Sequence, residues 1–228
     1  MATMTATQAD ALWAAIDDQR ERTADMLERL TDEQWEHPSL CDGWTVRHVA
    51  THLTLQRQHL SDVVAFFWRN PGLLRSVTLN RMIHDGAVLR ARQLETDEII
   101  DLIRVGIGSR RHNFFIPPQE TLADILVHSQ DIAIPLGIDL GMAPAACEIA
   151  ATRRWDSRGS WVSSVFRRLP LDGCRLSATD VDWTRGQGAE ITGPIGALLL
   201  LLAGRPVALD RLAGAGAETL RSALDAGR

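Results

Sequence analysis

The chain has 228 residues, enough for one large domain or two small ones, and its 45% hydrophobic and 23% charged residues are typical of a folded protein. The formal net charge of −5 leaves no basic surplus to hold a phosphate backbone, which argues against nucleic-acid binding, and the longest apolar run, 195–203, is too short to cross a bilayer. All 24 basic residues are arginine, and tyrosine is absent, so lysine Schiff-base, lysine-phosphate and phenol chemistry are excluded.

The first 135 residues repeat apolar side chains at the helical period and therefore predict a series of amphipathic helices. The predicted helices cover residues 8–30, 45–68, 74–93, 96–109 and 118–134. The breaks between them include the turn HPSLCDGW and the pair Asn70-Pro71, and either Thr45 or Asp42 is expected to cap the second helix. Long helices with short connections predict an up-down helical bundle.

The pattern changes after Gly141. One more helix is predicted over 143–155, with an extension toward Arg168 left open. Alternating residues over 174–183 predict a strand, Gly186 and Gly188 a turn, and 190–192 a paired strand. A buried helix over 194–203 and an amphipathic one over 218–226 complete the chain. We therefore expect two domains, a helical bundle over 1–142 and a small α+β domain over 143–228.

Three of the seven histidines lie on one stripe of the second predicted helix. His48 and His59 are separated by about 16 Å along the helix axis and cannot share a metal ion, whereas His48 and His52, at positions i and i+4, can. In the alternative interpretation, His52 lies at the edge of the core and binds no metal. The stripe alone does not separate these two interpretations.

The fifth predicted helix carries a second pair at i and i+4, Asp124 and His128, with Asp131 three residues further on. A carboxylate and an imidazole one turn apart present oxygen and nitrogen donors to the same point. If this helix faces the second one, a histidine from the latter completes a three-ligand site with an open position, the arrangement of a catalytic metal. In the alternative interpretation, His128 lies at the core edge and Asp124 is a solvated acid.

Three segments together are similar to one protein family. Residues 35–53, WEHPSLCDGWTVRHVATHL, closely resemble the N-terminal signature of the mycothiol-dependent maleylpyruvate isomerase family, a branch of the DinB-like four-helix bundles. Residues 121–137, TLADILVHSQDIAIPLG, resemble its second signature, and residues 175–206 resemble the domain that follows the bundle in many members. The resemblance implies a mainly helical chain, with a DinB-like up-down four-helix bundle followed by a small α+β C-terminal domain.

The resemblance also implies a metal site. In this family the metal, usually zinc, is held by the histidine that ends the first signature and by a glutamate and a histidine of the second. The matching positions here are His52, Asp124 and His128, while His48 stands where many relatives have an aspartate. Asp124 is one methylene shorter than the usual glutamate, a difference that can shift the position of the metal or weaken its binding.

The function that the resemblance implies is a metal-dependent isomerase or S-transferase. Its cofactors would be a divalent metal, zinc in the first place, and mycothiol or a similar low-molecular-weight thiol, and its substrate a small electrophilic molecule. The alternative is a non-catalytic protein of the same fold that binds a metal or a small ligand. A third interpretation is an inactive relative in which Asp124 does not reach the metal.

The remaining expectations concern location and the residues around the turn. We expect a cytoplasmic protein that contacts neither membrane nor nucleic acid, since Met1 to Asp10 has no secretion signal and the three cysteines have no CxxC spacing. Its oligomeric state is not predicted. Cys41 is interpreted as a small buried residue rather than a reactive thiol, and Trp35 and Trp44 are expected to pin the turn against the core. His84 is expected to face solvent.

Overall fold

The computed structural model describes residues 5–57, 65, 68, 78–112, 117–158 and 169–226. They form two compact units, Met1–Gly141 and Met142–Arg228. The first is helical and the second mixes helices with a small sheet. The predicted fold class, mainly helical with an α+β C-terminal part, is confirmed. Among the described helices, none combines the length and the apolar character that crossing a membrane requires.

Six helices are described in the first unit, and their starts follow local signals in the sequence. A capping box between Thr5 and Gln8 opens the first, and proline occupies the first turn of the last. Their bounds are α1 Ala6–Leu27, α2 Asp32–Trp35, α3 Val46–Thr54, α4 Leu79–Ala91, α5 Thr96–Arg104 and α6 Pro118–Ala133. The short helix α2 was not predicted, because it lies just before the turn HPSLCDGW, which the sequence marks as a break between helices.

The second predicted helix is shorter than its pattern in the described part of the chain. Helix α3 ends at Thr54 and continues as a 3₁₀ turn, Leu55–Arg57. The Thr54 hydroxyl donates to the carbonyl of Thr51 at 2.7 Å, a bond that competes with regular helix geometry. The rest of the predicted range, including His59, lies outside the described residues, as do positions 74–77 of the third predicted helix.

Helix α6 is the central element of the first unit. It packs against α1 and α3, while α5 packs against α1 and α3, and α4 against α3. Every residue from Glu120 to Ala133 is buried except Asp124, which is partly exposed. Since buried polar groups are costly without partners, the polar side chains of α6 must find partners within the helix, as His128 does at Asp131, or on neighbouring elements, as Ser129 does at Gln19.

The second unit contains a three-stranded sheet, two α-helices and a 3₁₀ helix besides a buried helix. Its elements are α7 Pro144–Asp156, β1 Cys174–Ala178, β2 Thr184–Gly186, β3 Ala189–Gly193, α8 Ile195–Leu202, a 3₁₀ helix Pro206–Arg211 and α9 Ala215–Ala226. The strand order is β2-β1-β3, with β2 antiparallel and β3 parallel to β1. Helix α8 packs on α7 and on the sheet, as its apolar sequence predicts.

The single strand predicted over 174–183 is wrong in its second half. Strand β1 ends at Ala178, and the chain turns before β2. The turn is held by the Asp180 carboxylate, which accepts the Ile195 N–H at 2.8 Å, and Trp183 is buried with its indole N–H donating to the Thr152 hydroxyl at 2.9 Å. Alternation therefore reflected the burial of Trp183, not a continuous strand.

Candidate metal centre

Helices α3 and α6 bring three of the predicted ligands together. His52 occupies the last turn of α3, and Asp124 and His128 lie one turn apart on α6. The Nε2 atoms of His52 and His128 lie 3.6 and 3.3 Å from Oδ1 of Asp124. All three donor atoms are within 4.8 Å of one another. The i, i+4 spacing therefore directs both α6 side chains toward the histidine of α3.

These distances fit a shared metal ion. Ligand atoms bound at about 2.1 Å in tetrahedral geometry lie about 3.4 Å apart, close to both separations measured at Asp124. The side chains of His52, Asp124 and His128 are 19%, 23% and 10% exposed. The set is thus mostly enclosed, yet solvent or a small molecule can reach the acid.

Neighbouring side chains hold two of the three candidate ligands in an orientation that suits a metal. The Nδ1–H of His128 donates to Oδ2 of buried Asp131 at 2.8 Å, which leaves Nε2 free to bind. The amide of Gln56 donates to Oδ2 of Asp124 at 2.7 Å, so Oδ1 remains for the ion. Nδ1 of His52, in contrast, is buried and has no hydrogen-bond partner in the described part of the chain.

The electrostatics of the metal-free cluster follow from this arrangement. Burial opposes the charged form of Asp124, but the positive charges of His128 and His52 and their hydrogen bonds outweigh it and hold the pKa of this carboxyl well below its usual value. Burial likewise opposes the charged form of His128, but the negative charge of Asp124 and the hydrogen bonds of the imidazole with Asp124, Asp131 and Cys41 outweigh it and raise the pKa of His128 well above its usual value. Without a metal, the cluster is an ion pair at neutral pH.

Trp44 covers the cluster from the turn before α3. Its ring centroid lies 5.3 Å from that of His52, 6.5 Å from that of His128 and 5.8 Å from that of His84. Trp35 and Trp44 are both buried, as expected. The expectation that His84 faces solvent is wrong in part, because its ring stacks on Trp44 at an interplanar angle of 29°.

The interpretation of Cys41 as a buried apolar residue is also wrong. The side chain is partly exposed, and its Sγ donates to Oδ2 of Asp131 at 3.2 Å and lies 3.6 Å from Nδ1 of His128. Cys41, His128 and Asp131 form a second group of donors within 4.8 Å of one another. The two groups share His128 through opposite ring nitrogens.

The structure places His48 outside the cluster. Its Nδ1 accepts the backbone N–H of Thr45 at 3.1 Å, so the ring completes the cap of α3. The sequence contained a signal for Asp131, three residues after His128 on the same helix. It contained none for Cys41, Gln56 or the ring contacts of Trp44, which depend on how separate elements pack.

Comparison with known proteins connects this geometry to a family. Residues 16–114, all within the first unit, match the family model of the mycothiol maleylpyruvate isomerase N-terminal domain. A comparison with the curated proteins finds no match.

Two solved structures share the fold. They are the crystal structures of the mycothiol-dependent maleylpyruvate isomerase and of a histidine-to-alanine mutant of that enzyme. Each aligns with a TM-score of 0.56 at 15% identity, over 94% of this chain and 96% of that one. Residues 16–114 are thus similar to the N-terminal domain of this family, and the chain shares the fold of the two crystal structures over nearly its whole length.

Proposed function

We propose that the protein is a metal-dependent and thiol-dependent isomerase or S-transferase that acts on a small electrophilic substrate. The thiol would be mycothiol or a similar low-molecular-weight thiol, and the metal a divalent ion, zinc in the first place. The sulfur of the thiol would add to an electrophilic carbon, and its later elimination would give an isomer, whereas its retention would give a thioether. We expect this activity in the cytoplasm, which remains a prediction.

One observation carries the proposal: Nε2 of His52 and Nε2 of His128 both approach Oδ1 of Asp124 at distances suited to a shared ion. Two imidazole nitrogens and one carboxylate oxygen form a donor set that zinc accepts, and three protein ligands leave a coordination position open. The names of the family and of the structural neighbours supply the thiol and the isomerase chemistry for this proposal.

A zinc ion held there would act as a Lewis acid that lowers the pKa of a bound thiol or water. The protein's own residues prepare the site for it. Asp131 accepts the Nδ1–H of His128, so that the proton on Nε2 is the one that a metal would displace, and Gln56 holds the Asp124 carboxylate so that Oδ1 points inward. Trp44 covers the histidine rings and keeps bulk water away from that side.

The acid at position 124 is shorter than the glutamate usual in the family, yet it lies close to both histidines. A glutamate would extend the carboxylate by one methylene, whereas Asp124 keeps it near α6, where both histidine Nε2 atoms still lie within 3.6 Å of it. The inactive-relative interpretation requires an acid that fails to reach the ligand set. The observed distances support the opposite, an acid that takes part in binding.

The first experiment measures metal content per chain by elemental mass spectrometry, on protein purified without chelators. Wild type is compared with His52→Ala and with His48→Ala, a matched control on the same helix whose ring caps α3. We expect about one metal equivalent in wild type and in the control, and a loss in His52→Ala. Full occupancy in His52→Ala, or no metal in wild type even after adding zinc, would overturn the metal site.

The second experiment tests turnover. The metal-loaded protein is mixed with mycothiol and small unsaturated acids, and both isomerised products and thioethers are followed. Thiol-dependent turnover that is absent in His52→Ala supports an enzyme. Ligand-induced stabilisation without turnover would instead support the non-catalytic binding protein of the same fold.

A further inference from the structure

Cys41 lies in a tight loop between α2 and α3 that is tied to α6 through its backbone. The Leu40 N–H donates to the carbonyl of Asp131 at 3.0 Å. Within the loop, the Ser39 hydroxyl donates to the Trp44 carbonyl at 2.8 Å, and the Cys41 N–H donates to Oγ of Ser39 at 3.1 Å. These bonds fix the loop backbone against α6, so the fold itself brings the Cys41 side chain to Asp131.

The Asp131 carboxylate is the point at which this loop reaches the ligand set. Its side chain is 0% exposed, so its charge must be met by donors. Oδ2 accepts the Nδ1–H of His128 at 2.8 Å and the thiol of Cys41 at 3.2 Å. Because both bonds end on one oxygen, rotation of the carboxylate about its Cβ–Cγ bond would break both.

We propose that Cys41 is a positioning residue: its thiol fixes the Asp131 carboxylate, which in turn orients His128 so that Nε2 points toward His52 and Asp124. This inference rests on the proposed function, because it takes His128 as a metal ligand. Removing a group that is bonded directly to a ligand typically lowers metal affinity by about 10- to 100-fold. A thiol is a weak donor and acts one residue further away, so we expect an effect of about tenfold.

The same three groups could instead hold a metal directly, since Sγ of Cys41, Nδ1 of His128 and a carboxylate oxygen of Asp131 lie within 4.8 Å of one another. Two distances favour the positioning role. Nδ1 is already engaged with the carboxylate at 2.8 Å, and Sγ is nearer to the carboxylate, at 3.2 Å, than to the nitrogen, at 3.6 Å. A neutral imidazole also binds a metal through one nitrogen only, so a metal on Nδ1 would take His128 from the other group.

The test compares Cys41→Ala with Cys41→Ser in the full-length protein, with Cys174→Ala in the second unit as a control. Zinc affinity is measured by competition with a chelating dye, and the cobalt-substituted proteins are compared by their visible spectra. We expect Cys41→Ala to bind zinc about tenfold more weakly with a changed cobalt spectrum. Cys41→Ser keeps a hydrogen-bond donor, so its zinc affinity should stay within about threefold of wild type. Cys174→Ala should bind zinc as tightly as wild type.

A metal-free measurement separates this inference from the proposed function. Proton NMR follows the hydrogen-bonded Nδ1–H resonance of His128, which should persist in Cys41→Ser and shift or broaden in Cys41→Ala. If wild type bound no zinc, the proposed function would fail, and this resonance would still decide the role of Cys41. An unchanged resonance and zinc affinity in Cys41→Ala would overturn the inference. So would an ultraviolet sulfur-to-cadmium charge-transfer band that disappears in Cys41→Ala, since it would make Cys41 a ligand.

Discussion

Replacing Asp124 with asparagine in the metal-free protein removes one of the two carboxylates that stabilise protonated His128 and leaves the other, Asp131, in place. The side chain keeps its size, so the amide oxygen of the asparagine can still accept the hydrogen bond from Gln56, while the ion pair at 3.3 Å is lost. His128 is 10% exposed and Asp124 is 23% exposed, so the pair is mostly but not fully removed from water. The change therefore tests how much this pair contributes to stability.

The expected loss lies between two limits. Breaking a fully buried ion pair costs about 3–5 kcal/mol, and an exposed pair contributes about 0–1 kcal/mol. The partial exposure of Asp124 places the expected loss of unfolding free energy at about 2 kcal/mol. For a unit of this size, that corresponds to a fall in Tm of about 5 °C.

The sign of the pH dependence follows from the two pKa shifts. The pKa of Asp124 is depressed, so its contribution is present above about pH 4 and is lost as the pH falls through the folded-state value. The pKa of His128 is raised, so its contribution is full below about pH 6.5 and is lost as the pH rises through the folded-state value. The difference between wild type and Asp124→Asn should therefore be largest between about pH 4 and 6.5.

The assay is urea unfolding of chelator-treated protein at several pH values, followed by circular dichroism. Asp101→Asn is the matched control, because it removes the same charge from an exposed position on α5. We expect the control to unfold like wild type at every pH. Equal stability of wild type and Asp124→Asn at pH 5.5, or a difference that grows toward pH 9, would refute the ion-pair argument.

Three further predictions follow from the same structure. Zinc binding to the chelator-treated protein should release about one proton near pH 7 and become tighter as the pH rises, because the raised pKa of His128 keeps its imidazole protonated in the metal-free protein. Calorimetry in buffers of different ionisation enthalpy measures the number of protons released. Zinc binding without proton release would contradict this prediction. Burial raises the pKa of Cys147 to about 12, so this thiol should resist alkylation at pH 8 in the native protein and react after denaturation, as read by mass spectrometry. Gly188 has φ +118°, and a Cβ there would lie 1.9 Å from the Gly173 carbonyl oxygen, so Gly188→Ala should lower the unfolding free energy by about 2–4 kcal/mol. At Gly137, which has φ +67°, no atom of the described residues lies within 4 Å of such a Cβ, so Gly137→Ala should cost about 1 kcal/mol. The same urea titration measures both changes.

Local signals in the sequence were sufficient for most of the helices. Periodic apolar residues and the proline at the start of α6 act within one or two turns, so the sequence shows them without the fold. The same locality explains the pair Asp124 and His128, since residues four apart on a helix share a face wherever the helix lies. The prediction failed where a local pattern had two causes, as at Trp183, whose burial imitated strand alternation.

The residues that contact the candidate ligands from other elements could not be predicted from local patterns. Gln56 and Asp124 are 68 positions apart, and Cys41 and Asp131 are 90 apart, so no spacing rule relates them. The covering of three histidine rings by Trp44 likewise depends on how the turn before α3 lies against the neighbouring helices. The choice of His52 over His48 required either the family resemblance or the packing of α3 on α6.

The sequence by itself determined that the chain forms helices with an acid and a histidine on one face, because helix geometry is fixed by neighbours along the chain. The tertiary structure alone decided that His52 meets that face, that Asp131 and Gln56 bond to His128 and Asp124, and that Cys41 reaches Asp131. The same holds for the parallel pairing of β1 with β3. These contacts form when separate elements pack to bury their apolar faces, so the resulting arrangement is a property of the whole core rather than of any segment.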